Sequence, residues 1–172
     1  MNPYLVVFVC MGNICRSPTA HGVLRHKLRQ AGLEARIGVD SAGTHDYHVG
    51  DPPDARSQRH ARQRGYELGD LRARALAATD FENADLLLVM DEVNFALASR
   101  RCPSQHRMKL RYLREFCRSH PGREVPDPYS GGAPGFEQVL DFVEDACDGL
   151  LVHLRAELGL SSGASGSGPQ SL

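Results

Sequence analysis

The sequence predicts an α/β fold in which one four-stranded parallel sheet carries helices on both of its faces. Short apolar runs rich in β-branched residues alternate along the chain with longer segments of helical periodicity, which is typical of such sheets. Two of the helical segments end at a glycine, Gly32 and Gly65. The length of 172 residues suits a single domain with its own core. The sequence has no internal repeat that would indicate a second domain.

The first element, Tyr4–Val9, is a continuous apolar run of the kind expected in a strand that is buried on both faces. An amphipathic helix over Ser17–Ala31 follows, with Leu24 and Leu28 on its apolar face. Further strands are predicted at Ile37–Ser41, Ala84–Met90 and Met108–Leu113, and further helices at Asp54–Arg64, Asp91–Arg100 and Gly135–Leu158. The domain is predicted to cover residues 1–160, and residues 161–172, rich in Ser and Gly, to form a disordered tail.

The segment between the first strand and the first helix contains the most informative motif. Cys10 and Arg16 lie six positions apart, and Ser17 and Pro18 suit the start of a helix as N-cap and first helical residue. A loop in this position directs backbone N–H groups and the positive end of the helix dipole towards an anion. A thiolate and a forked guanidinium at the same place are the groups that phosphoryl transfer to sulfur requires. The predicted phosphate-binding loop comprises Met11, Gly12, Asn13, Ile14, Cys15, Arg16 and Ser17.

A second motif, Val125-Pro126-Asp127-Pro128-Tyr129, lies far downstream. Asp127 stands between two prolines, which indicates a rigid turn rather than a helix or strand. When a thiolate attacks a phosphate monoester, the departing oxygen needs a proton, and a carboxylic acid above the phosphate can supply it. The same group, once ionised, can activate water to hydrolyse the phosphocysteine. We therefore predict Asp127 as general acid and base, with Tyr129 beside the leaving group.

Together, the Cys-x5-Arg-Ser loop near the N-terminus and the late Asp-Pro-Tyr resemble the low-molecular-weight protein tyrosine phosphatases of bacterial type. The resemblance extends from about Tyr4 to about Leu158, and it includes the segments 39–44, 49–54 and 90–92. The order of the motifs is specific, because larger tyrosine phosphatases of unrelated fold place the acid before the cysteine.

The resemblance implies a role for each matching residue. Cys10 is the nucleophile, Arg16 clamps the phosphoryl oxygens, and Asp127 is the general acid and then base. Tyr47 and Tyr129 match the aromatic walls of the substrate cleft. The implied activity is hydrolysis of phosphotyrosine through a phosphocysteine intermediate, without metal or other cofactor.

Four further positions match supporting residues of the family. Asn13, Ser17 and Ser41 match residues that hydrogen-bond one another and hold the loop in shape, and Ser17 also matches the hydroxyl that stabilises the thiolate. Cys15 matches a redox partner that pairs reversibly with Cys10 and protects it from over-oxidation.

The chain departs from the family pattern at two positions. His21 stands where a glutamate is common, which removes a possible capping-box partner. Leu71 stands where a histidine often contacts the loop asparagine, so that another group must support Asn13.

Three other functions are compatible with parts of the pattern. A protein arginine phosphatase would carry a threonine where this loop has Ile14. An arsenate reductase of this fold would relay oxidation through two further cysteines, yet none lies between Cys15 and Cys102. A non-catalytic phosphate-binding module would not need Cys10, Arg16 and Asp127 together.

Composition limits the partners. The formal net charge of −1 favours neither nucleic acid nor an acidic membrane surface. The longest apolar run is too short to span a bilayer and has no basic leader or cleavage site.

The five cysteines are interpreted as thiols rather than as a disulfide framework. We expect a cytoplasmic monomer whose partners are phosphotyrosine proteins, a cognate tyrosine kinase being one candidate.

Overall fold

A computed structural model describes residues 1–161 of the chain, so that the predicted tail lies outside the described residues except for Ser161. Four strands, β1 (Tyr4–Cys10), β2 (Ile37–Gly43), β3 (Leu86–Val89) and β4 (Leu110–Tyr112), form one parallel sheet in the order β2-β1-β3-β4. The α-helices of this part of the chain are α1 (Arg16–Gln30), α2 (Ala55–Gln63), α3 (Ala78–Asn83), α4 (Glu92–Arg101) and α5 (Ala133–Glu157), and 3-10 helices at Ser104–Lys109 and Leu113–Phe116 flank β4. The predicted fold class is confirmed.

The central strand β1 is buried on both faces, which explains its unbroken apolar sequence. Val6 and Phe8 belong to one core cluster, which includes side chains of α1, α2 and α5. Val7 and Val9 belong to a second cluster, formed with side chains of α3 and α4. Helices therefore cover both faces of the sheet. No helix within residues 1–161 is long and apolar enough to cross a bilayer.

Several element boundaries differ from the prediction, and two differences have a clear physical cause. Ser17 is not the N-cap of α1, because its hydroxyl is bonded to Cys10 and Asn13 inside the loop. Cys15 occupies the N-cap position and makes no side-chain cap hydrogen bond. Helix α3 was not predicted, since six residues are too few to show helical periodicity. By contrast, Asp91 caps α4 as expected, accepting a hydrogen bond from the Asn94 amide at 2.8 Å.

The parallel sheet brings the ends of β1, β2 and β3 to one edge, where ligands commonly bind in such folds. At this edge Thr44 N donates to Cys10 O at 2.8 Å, and His45 N donates to Met11 O at 3.0 Å. Gly43, the last residue of β2, is required here because a Cβ atom would lie 2.7 Å from Met11 O. The phosphate-binding loop is thus packed directly against the end of the neighbouring strand.

Candidate active site

Cys10 ends β1 at the floor of a cleft, and its side chain is buried. Its Sγ accepts a hydrogen bond from the backbone amide of Asn13 at 3.3 Å and lies 3.0 Å from Ser17 Oγ. The loop curls around the sulfur because Asn13 adopts the left-handed conformation, with φ of 57°, which asparagine tolerates better than most residues.

The side chain of Asn13 determines which group donates to the sulfur. Its Oδ1 accepts from the backbone amide of Arg74 at 3.0 Å, so that its Nδ2 is the group that donates to Ser17 Oγ at 2.8 Å. Since Ser17 Oγ is already an acceptor, its single proton is free to point at Cys10 Sγ. The network therefore directs two donors at the sulfur, the Asn13 amide and the Ser17 hydroxyl.

The support for Asn13 comes from the strand-like segment around residue 74, in place of the contact that a histidine at position 71 was expected to make. The backbone of Arg74 is fixed in turn, because its carbonyl accepts from Gly43 N at 2.8 Å. Its guanidinium pairs with Asp40 and Asp80 at 3.0 and 2.9 Å. This segment was not identified from the sequence, because a backbone amide leaves no residue-specific signal.

Ser41 does not make the expected bond to Asn13 or Ser17 within the described part of the chain. Its hydroxyl lies 3.0 Å from Nδ1 of His21, the residue that replaces the family's glutamate. Burial is the main cause that lowers the pKa of His21 to about 4, with the charge of Arg25 contributing. The imidazole is therefore neutral near neutral pH, and Ser41 contacts helix α1 rather than Asn13 or Ser17.

Arg16, the first residue of α1, is almost completely buried, with 2% of its surface exposed. Its Nη1 donates to Asp91 Oδ2 at 2.6 Å and to Val125 O at 3.0 Å. Burial opposes the charge, but the nearby Cys10 sulfur and the Asp91 carboxylate raise the pKa of Arg16 above its usual value. Its Nη2 lies 3.7 Å from Asp127 Oδ2.

The segment of residues 125–131, which we call the acid loop, brings Asp127 over the cleft. Val125 anchors it to the sheet edge, since its amide donates to Met90 O at 2.7 Å and its carbonyl accepts from Arg16. The Asp127 carboxylate is 43% exposed, and its Oδ1 accepts from the amide of Tyr129 at 3.1 Å. A carboxyl group is thereby held beside the phosphate-binding loop and in contact with solvent.

The cleft itself is open and has a volume of about 190 Å³. It is lined by Cys10, Met11, Gly12, Ile14, Cys15, Arg16, Tyr47, His48, Asp127 and Tyr129. Tyr47 and Tyr129 are 71% and 50% exposed, so that their rings form walls at the mouth. His48 was not predicted as a wall residue; its Nδ1 lies 3.4 Å from Asp51 Oδ2.

Cys15 is buried beside the cleft and is a free thiol, as is Cys10. Burial is the main cause that raises the pKa of the Cys15 thiol to about 12, and the charge of Asp54 adds to the effect. No group of three His, Cys, Asp or Glu side chains within residues 1–161 is arranged to hold a metal ion.

The structure thus brings Cys10, Arg16 and Asp127 together, although the carboxyl group is more than one hundred residues from the other two. A thiol, a forked cation and a carboxyl group around one cleft are the requirements of phosphoryl transfer to sulfur. This arrangement defines the class of cysteine-dependent phosphatases.

Comparison with known proteins specifies the family. The model of the low molecular weight phosphotyrosine protein phosphatase family matches residues 5–160. A Synechocystis protein that carries a low molecular weight protein-tyrosine-phosphatase name is 46% identical over 154 residues, 89% of this chain and 98% of that protein. The low molecular weight protein-tyrosine-phosphatase of Streptomyces coelicolor is 39% identical over 158 residues, 90% of this chain and 96% of that protein.

Solved structures agree with these relatives. A crystal structure of protein tyrosine phosphatase from Entamoeba histolytica has a TM-score of 0.86 at 39% identity, and the match covers 91% of this chain and 98% of that one. The chain therefore belongs to the low molecular weight protein-tyrosine phosphatase family and is an enzyme. The family resemblance of the motifs is confirmed.

Proposed function

We propose that this enzyme hydrolyses phosphotyrosine in proteins through a phosphocysteine intermediate. The observation that supports this proposal is the convergence of Cys10, Arg16 and Asp127 on one cleft with aromatic walls. Tyr47 and Tyr129 offer aromatic surface to a phenyl ring in this cleft, while its floor receives the phosphate.

In the first step, the thiolate of Cys10 attacks phosphorus, and the bond from phosphorus to the tyrosyl oxygen breaks. Backbone amides of the loop, the α1 dipole and the Arg16 fork stabilise the charge on the equatorial oxygens. Asp127 gives its proton to the departing oxygen. The products are tyrosine and a phosphocysteine at position 10.

In the second step, the ionised Asp127 takes a proton from a water molecule that attacks the phosphocysteine. The bond from phosphorus to sulfur breaks, inorganic phosphate leaves, and the Cys10 thiolate is restored. The hydrogen bond from Ser17 lowers the energy of the leaving sulfur in this step, as it does for the nucleophile in the first.

The side chain at position 14 supports a phenyl phosphate over a guanidinium phosphate as substrate. Ile14 lines the cleft and offers apolar surface to a ring, whereas it has no polar group that a guanidinium needs. The arsenate reductase alternative requires a relay of cysteines that the chain does not have between Cys15 and Cys102.

The proposed location is the cytoplasm. The proposed partners are phosphotyrosine proteins, and a cognate tyrosine kinase is one candidate among them. All five cysteines are free thiols, which is typical of a reducing compartment.

A trapping experiment tests the proposed function. The enzyme is mixed with a labelled phosphotyrosine peptide and quenched in acid, and the labelled residue is identified by peptide mapping. We expect label on Cys10 in the wild type, no turnover in Cys10→Ser, and retained binding of inorganic phosphate by that variant. Cys15→Ser is the matched control and should keep most of its turnover. Label on any residue other than Cys10 contradicts the proposal.

A further inference from the structure

Helix α2 begins beside the cleft with a paired arginine and aspartate. Asp54 caps the helix by accepting from the Arg56 amide at 2.8 Å. The Arg56 guanidinium returns to the same carboxylate, with Nε donating to Oδ1 at 3.1 Å and Nη2 to Oδ2 at 2.9 Å. Two parallel hydrogen bonds of this kind fix the plane of the guanidinium.

The same guanidinium also holds the acid loop. Its Nη2 donates to Tyr129 O at 3.0 Å, and its Nη1 donates to Gly131 O at 3.4 Å. The Arg56 Cζ atom lies 5.6 Å from the centre of the Tyr129 ring and 4.7 Å from that of Phe136, the first apolar anchor of α5. Arg56 therefore joins α2 to the segment that carries Asp127.

One residue links this clamp to the general acid. The carbonyl of Tyr129 accepts from Arg56, while the amide of Tyr129 donates to Asp127 Oδ1 at 3.1 Å. On the other side, Asp54 is tied to the phosphate-binding loop, because its amide donates to Ile14 O at 2.8 Å. The pair of Asp54 and Arg56 thus spans the distance between the loop that binds phosphate and the loop that supplies the proton.

We propose that Arg56 is a positioning residue that sets the placement of the Asp127 carboxyl group over the bound phosphate. This inference rests on the proposed role of Asp127 as general acid. Within residues 1–161, one backbone-to-backbone hydrogen bond restrains the acid loop downstream of Val125, from Gly131 N to Pro128 O at 3.0 Å. The guanidinium of Arg56 makes four hydrogen bonds at once, two to the Asp54 carboxylate and one to each carbonyl, whereas an ammonium group has three donors.

The test substitutes Arg56→Gln and measures kcat/KM on a series of aryl phosphates whose leaving groups range from strongly to weakly acidic. The matched control is Arg59→Gln, an exposed arginine on the same helix. We expect Arg56→Gln to lose about 10–10²-fold on the poorest leaving group and little on the best one. The inhibition constant of inorganic phosphate should be unchanged, and Arg59→Gln should resemble the wild type.

A double-substitution cycle separates positioning from general damage. In an Asp127→Ala background, Arg56→Gln should cause almost no further loss, because the group that it positions is absent. The inference is overturned if Arg56→Gln lowers kcat/KM by the same factor on every substrate, or if its full effect persists without Asp127. If Asp127→Ala itself shows no dependence on the leaving group, the proposed function of Asp127 fails, which is a separate result.

A second variant keeps the test decisive if Arg56→Gln does not fold, as judged by its thermal midpoint. Arg56→Lys retains the charge and the stem but donates to fewer partners in one plane. Its loss of kcat/KM should depend on the leaving group in the same way but should be smaller. In the Asp127→Ala background, Arg56→Lys should likewise cause almost no further loss. A uniform loss in Arg56→Lys overturns the inference in the same way.

Discussion

The carboxylate of Asp91 holds the guanidinium of Arg16 from behind, with 2.6 Å between Nη1 and Oδ2. Nη1 also donates to Val125 O, so that the same nitrogen serves both acceptors, the Asp91 carboxylate and the Val125 carbonyl. Within residues 1–161, Nε and Nη2 make no hydrogen bond, and these two nitrogens form one edge of the fork. The structure therefore presents to the cleft the edge that can bind two phosphoryl oxygens side by side.

The first prediction concerns this orientation. Asp91→Asn removes the charge that holds Arg16 but keeps a good cap for α4. We expect kcat/KM for an aryl phosphate to fall by about 10–10²-fold, since a small misplacement of a clamping group has effects of this size. The exposed neighbour substitution Glu92→Gln serves as control. Unchanged kinetics in Asp91→Asn would show that Val125 alone suffices to orient the guanidinium.

The second prediction concerns the shape of the cation. Arg16→Lys keeps the positive charge but replaces a fork by a point charge on a flexible stem. The rate should fall by orders of magnitude, about 10²-fold or more, while inorganic phosphate should still inhibit. Steady-state kinetics and the phosphate inhibition constant measure the two effects. A variant with near-normal kinetics would contradict the assignment of Arg16 as the clamp.

The site is most readily predicted where its residues are contiguous in the sequence. Cys10 and Arg16 belong to one short segment after an apolar strand, so that local pattern alone indicated an anion site. Asp127 could be linked to them only through the chemical need for a proton donor and through family resemblance, because a carboxylate between two prolines by itself indicates no more than a turn. Its proximity to Arg16 depends on where Val125 is anchored, which is a tertiary contact.

The missed features share a physical cause. Arg74 supports Asn13 with its backbone amide, and any residue except proline has one. Arg56 lies in a run of arginines that has the pattern of a solvated helix face. Its role becomes visible only when α2 is packed against the acid loop. Only the N-cap role predicted for Ser17 is wrong, since its hydroxyl is used at Cys10 Sγ, the contact that the family resemblance implied.

The third prediction is a protective redox reaction between the two buried thiols of the cleft. Peroxide oxidises the Cys10 thiolate to a sulfenic acid; Cys15 then attacks that sulfur, a disulfide forms and water leaves. Since burial raises the pKa of Cys15 to about 12, disulfide formation should accelerate as the pH rises above neutrality. Intact mass and recovery of activity with a thiol reductant distinguish the reversible disulfide from irreversible further oxidation of Cys10.

A matched pair of variants decides whether this protection exists. Cys15→Ser should lose activity irreversibly after peroxide, through further oxidation of Cys10. Cys102→Ser, which removes another buried thiol away from the cleft, should recover as the wild type does. Equal recovery of both variants would refute a role for Cys15.

The fourth prediction concerns acid stability and follows from His21. Its pKa is about 4 in the folded protein, mainly through burial, against 6.5 for the unperturbed group. Between these values the unfolded chain binds a proton that the folded protein does not, so that stability falls as the pH drops from about 6.5 to about 4. The contribution is on the order of 3 kcal/mol. His21→Gln, which can still bond Ser41, should lose less stability over this interval.

Urea unfolding at several pH values tests the fourth prediction. The quantity compared is the slope of the free energy of unfolding against pH, rather than the absolute stability. His106→Gln, a substitution of a partly exposed histidine, is the control and should follow the wild-type slope. If His21→Gln keeps the full acid sensitivity of the wild type, other groups cause it and His21 is protonated without cost.

The last prediction concerns the proton donor. If Asp127 protonates the leaving oxygen, its importance depends on how badly that oxygen needs a proton. Tyrosine leaves poorly as an anion, whereas a strongly acidic nitrophenol leaves well unaided. Asp127→Ala should therefore lower kcat/KM for a phosphotyrosine peptide by up to ~10²–10⁴-fold, and far less for the activated aryl phosphate. The limb of the pH profile that reports the acid should also flatten. Asp127→Asn is the matched variant, since it keeps an acceptor for the Tyr129 amide but has no acidic proton, and it should behave like Asp127→Ala. An equal loss on both substrates with an unaltered pH profile would assign Asp127 to the turn alone and require another acid.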